Sequence, residues 1–85
     1  MATGREALDE LIDEEASFFQ EHGSPPRLVR LPVLMAWDIA KCGYNDLGEL
    51  SGRILKDGID VLEDAGLFGM KVQIVREPNA ELTFE

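Results

Sequence analysis

Cysteine and histidine are almost missing from this 85-residue chain, and its 8 Lys and Arg are outnumbered by 17 Asp and Glu. One cysteine, Cys42, excludes an intramolecular disulfide and fits a reducing compartment. With His22 as the one histidine, no Cys/His spacing for zinc exists. No apolar run approaches the roughly 18 residues of a membrane helix, and no basic stretch with a following apolar core opens the chain. A cytoplasmic protein without membrane contact is expected. The scarcity of cations gives a net charge of −9, which disfavours phosphate-rich partners because like charges repel.

Catalytic chemistry is equally thin. His22 stands beside the helix-breaking Gly23, where a polar chain-end role is expected. Asp57, Asp60 and Asp64 share a helical face but lack the glycine that shapes a calcium loop, so they read as a solvated row. Gly48-Glu49-Leu50-Ser51-Gly52 lacks the lysine of a phosphate-cradling loop. A reactive thiol at Cys42 would want a neighbouring cation, and in sequence only Lys41 is near; a small buried hydrophobe is expected instead. No enzyme, no metal site and no cofactor is expected.

What is present is enough apolar material, 45% of residues, to fold one small domain. At this size a lone chain buries a modest fraction of its surface, so a dimer core is a natural supplement. Residues 1–24 form an acidic amphipathic helix. Thr3 and Glu6 have capping-box spacing, and Leu8, Leu11, Ile12, Ala16 and Phe19 recur at helical intervals. His22-Gly23 and Pro25-Pro26 end it. Residues 27–66 follow as a strand-helix-helix core. Leu28-Val29-Arg30-Leu31 alternates as a strand up to Pro32, which fits the first turn of a helix. The apolar run from Val33 to Cys42 predicts a helix anchored in the core by Trp37, with ligand stacking by Trp37 as the sharper alternative. Gly43 ends it. Asp46 and Glu49 have the spacing of a capping pair for a long helix ending at Gly66. Gly48, Gly52 and Gly58 inside that helix each cost roughly 1 kcal/mol against alanine, which predicts something packed closely on its backbone. From residue 69 to 85 the period changes to two around a turn at Glu77-Pro78-Asn79-Ala80, predicting a β-hairpin.

Charge is unevenly spread. Residues 1–24 hold one cation against seven carboxylates, residues 25–56 five against three, and residues 57–85 two against seven. So short a strand as 28–31 needs a partner, either from the C-terminal hairpin or from a second chain.

The order strand, helix, turn, helix over residues 27–66, in the mildly basic segment, resembles the ribbon-helix-helix fold of the Arc and methionine repressors. The resemblance implies a homodimer whose paired strands enter the major groove. Val29 and Leu31 match the family's inward apolar positions and Arg30 an outward base-contacting one. Arg27 is then a possible phosphate contact, and Asn45 and Leu47 could offer backbone N–H groups to a phosphate. Leu28, Pro26 and Arg27 depart from the pattern, and Asp46 and Glu49 oppose an anion. The expected dimer interface comprises Val29, Leu31, Gly48, Gly52, Ile54 and Gly58. The expected fold is α+β: an N-terminal helix, a short strand, two helices and a C-terminal β-hairpin, one domain over 1–85, as a homodimer. Its function would be that of a small non-catalytic regulator, DNA-binding or antitoxin-like, with an acidic flank for a basic protein partner. The rival is an acidic homodimeric protein-interaction module that binds no nucleic acid. A third option is an acidic decoy imitating DNA.

Overall fold

The strand expected at 28–31 sits at the centre of the molecule. The computed structural model describes residues 4–85; Thr3, the expected cap partner of Glu6, lies outside them. Among these residues an α+β arrangement of five helices and one three-stranded sheet runs α1 (Gly4–His22), β1 (Leu28–Pro32), α2 (Val33–Ala40), α3 (Tyr44–Leu47), α4 (Glu49–Asp57), α5 (Val61–Ala65), β2 (Lys71–Val75) and β3 (Thr83–Phe84). The sheet order is β2-β1-β3. β1 pairs in parallel with β2, Leu28 opposite Lys71 through Pro32 opposite Val75. It pairs antiparallel with β3, Val29 opposite Phe84. A parallel pair needs a crossover of a dozen or more residues, and α2 through α5 supply it.

The hairpin expectation is corrected here. Residues 69–85 do not form a hairpin, because β2 and β3 lie on opposite sides of β1 and never pair. The alternation was genuine, but a period of two says which face a residue takes, not which strand lies beside it. Within one chain β1 pairs along its whole length with β2 and at Val29 and Arg30 with β3, whereas the ribbon implied by the resemblance would pair it with a second copy.

The alternation of β1 buries Val29 and Leu31 completely, and Val72 and Ile74 of β2 join them. The other sheet face carries Arg30, Lys71 and Gln73 towards water. The outer edge of β2 is partly closed by Glu63, whose carboxylate accepts the Ile74 N–H at 3.1 Å. A charged group at a strand edge discourages strand addition.

α1 buries only its first half. Ala7, Leu8 and Leu11 are in the core, while Ile12 is 41% and Phe19 50% exposed. Nineteen residues extend about 28 Å, so the helix outruns the eight-residue α2 against which it packs. Phe18 still reaches Phe84, ring centroids 6.1 Å apart, and stacks near His22. Gly23, with φ +74°, ends the helix by returning its N–H to the Phe19 carbonyl.

The long helix expected over 46–66 is three helices. Gly48 and Gly58 break it with φ of +61° and +89°, backbone that favours glycine. Those two glycines therefore bend the chain rather than admit a close neighbour. The helix end at Gly66 is as expected. Asp46 does not cap α4; it lies in α3 and accepts a hydrogen bond from Arg5, tying the start of α1 to α3. Pro32 is the last residue of β1 and the cap position of α2, not its first turn.

Candidate functional site

α2 is apolar on nearly all sides, so it cannot hide every apolar residue. Ala36 and Ile39 turn into the core. Trp37 lies on the flank shared with Lys41 one turn later, and Lys41 must reach water. Trp37 is accordingly 51% exposed and Leu34, three residues earlier, 73%. The expectation that Trp37 anchors the core is overturned. The signal was available in the four-residue spacing from Trp37 to Lys41, but a lone tryptophan in an apolar run outweighed it.

α4 completes the site from the other side. Ile54 is buried beneath it, while Leu55, the next residue round the helix, stands 86% exposed. Between α2 and α4 lies a groove of about 810 Å³. Trp37 and Ala40 form one wall, Ser51 and Leu55 the other, and Cys42 and Ile54 the floor. Tyr44, 69% exposed, stands at its mouth. No carboxylate lines it, and its one charged residue, Lys41, is held by Asp38 at 3.2 Å. Exposed aromatic and leucine side chains gathered around a concavity form a binding surface, open to a protein or to a smaller ligand.

The groove offers little reactivity. Burial, and then the Asp46 carboxylate, push the Cys42 thiol above its ordinary value, so it stays protonated and inert at neutral pH. Among the described residues no cluster of His, Cys, Asp or Glu is placed to hold a metal ion. No helix among them is long and apolar enough to cross a membrane.

The residues expected to meet DNA come from two elements, Arg27 and Arg30 from the β1 segment and Asn45 from α3. Arg30 points from the outer sheet face and is engaged by Glu85 at 2.6 Å. Arg27 has an exposed side chain, while its backbone bonds Glu85 and Lys71. Asn45 is exposed on α3, and the Leu47 N–H that was to hold a phosphate donates to the Gly43 carbonyl.

The residues expected at a dimer interface divide. Val29 and Leu31 are enclosed in the chain's own core. Ile54 and Gly58 line the groove, while Gly48 precedes α4 and Gly52 lies within it, both with open space where a Cβ would stand. No family model, curated protein or solved structure matches the chain.

Proposed function

We propose that this chain is a non-catalytic protein-interaction module whose working surface is the groove between α2 and α4. The observation that carries this reading is an apolar, carboxylate-free concavity on a chain of 17 carboxylates. Exposing Trp37, Tyr44 and Leu55 together costs solubility, and a surface of that kind is retained where something covers it. The filled edges of β1 and the engagement of Arg30 by Glu85 favour this reading over a groove-reading ribbon. The charge of −9 favours it too, since it opposes approach to phosphate.

A photo-crosslinking side chain installed at Leu55 in cells is expected to give a discrete protein adduct that Trp37→Glu removes. The same label at exposed Glu81 should give none. Absence of any Leu55 adduct would overturn the reading. So would retardation of duplex DNA at low salt that Arg30→Ala abolishes.

A further inference from the structure

We propose that the groove is filled by a second copy of this chain, with α4 of one protomer crossing α4 of its partner antiparallel about a two-fold axis. Each Leu55 then enters the groove of the other protomer. This rests on the docking reading above and names the occupant.

Three observations converge on it. The first is area. Trp37, Tyr44 and Leu55 are each at least half exposed and all line the groove. At on the order of 150 Å² apiece they present on the order of 450 Å², the size of the largest apolar patch on a typical monomer, which is often functional. Stable dimers bury roughly 800 Å² per partner, so the exposed flank of α4 that carries Glu49, Gly52 and Lys56 joins the groove in the contact. A two-fold contact is also self-complementary here, because each copy carries both the projecting Leu55 and the groove that receives it.

The second is Gly52. It lies inside α4 with ordinary helical backbone, and a Cβ there would meet nothing within 4 Å. Nothing inside the chain requires glycine at this position, although it weakens the helix by roughly 1 kcal/mol against alanine. A helix crossing close over α4 requires it.

The third is charge. Glu49 and Lys56 are seven residues apart, two turns along one flank of α4 beside Gly52. Both are exposed, and neither is in an ion pair within the described residues. An antiparallel partner sets each Glu49 against the opposite Lys56, and a parallel one sets like against like. The groove itself brings no carboxylate to the contact. The remaining repulsion between two bodies of charge −9 lies outside it and is screened by salt. Self-association therefore tightens as salt rises, whereas docking of a basic partner loosens.

Sedimentation equilibrium on the full chain tests this. Wild type is expected at twice the monomer mass of 9.4 kDa, more so at higher salt. Leu55→Glu is expected to weaken association by about 30-fold, the loss typical of an interface anchor. Glu49→Lys and Lys56→Glu lie on exposed surface, so each should fold, and each alone is expected to weaken association by about fivefold. Mixing these two variants should restore it as a heterodimer. A monomer up to millimolar concentration overturns the proposal. So does a dimer that survives Leu55→Glu, or a mixture of the two charge variants that gains nothing. A Leu55 adduct to a different protein, together with a monomeric chain, overturns self-association and leaves the docking reading standing. Absence of any adduct overturns both.

Discussion

Replacing Leu31 by alanine is expected to remove about 3–4 kcal/mol of folding stability, the upper half of the range for leucine truncations in a core. Leu31 has no exposed surface, and it stands on the inner strand with β2 on one side and β3 on the other. The surroundings cannot close over the lost volume, because both neighbouring strands are fixed to β1 by their backbones. A domain of this length is stabilised by about 4–13 kcal/mol, so about a quarter or more of the total would go. Urea unfolding in a Leu55→Glu background reads the loss without self-association. There the midpoint should not move as the protein is diluted, since every partner of Leu31 belongs to the same chain. A strand shared between two chains would make both the midpoint and the loss depend on concentration. A loss below about 1 kcal/mol would place Leu31 outside the core, at odds with the burial found here.

Gly66→Ala is expected to cost about 3 kcal/mol, from two causes acting together. Gly66 ends α5 with φ +75° and ψ 176°, a region that only glycine occupies with ease. A Cβ there would also stand 2.5 Å from the Met70 carbonyl oxygen. That oxygen accepts the Leu67 N–H at 3.1 Å, and Met70 returns its own N–H to the Leu67 carbonyl at 2.8 Å. The closed turn leads directly into β2, so relief of the clash would disturb the sheet. The loss corresponds to a fall in Tm of about 15 °C for a domain of this size. Gly69→Ala is the control. Its φ is +80°, but a Cβ there meets nothing, so it should lose only about 1 kcal/mol. Equal losses at the two sites would show that the clash at Gly66 is readily relieved.

Much of the fold was legible from short-range pattern. The stripe of Leu8 and Leu11, the inward Val29 and Leu31, the helix stop at Gly66 and the alternation of Val72 and Ile74 all reflect local geometry. What was not legible was long-range. Nothing in Leu28–Leu31 distinguishes a strand completed by another molecule from one completed by residues 71–75 and 83–84, because pairing is decided by backbone groups that every residue carries. The breaks at Gly48 and Gly58 were hidden for a different reason. Leu47, Leu50, Ile54, Val61 and Ala65 keep a helical rhythm across both, and a glycine's φ is not written in its neighbours. The groove was missed at Trp37, where hydrophobicity was weighed above position. Of the residues expected at a dimer interface, Ile54 and Gly58 line the groove, and Gly52 has open space where a Cβ would stand.

The position of β1 separates an interaction module from a strand-paired dimer, and isotope-filtered NMR on an equal mixture of labelled and unlabelled chains measures it. Cross-strand contacts from Val29 to Val72 and from Val29 to Phe84 should all arise within single chains. Contacts from β1 of one chain to β1 of another would contradict the account at its root.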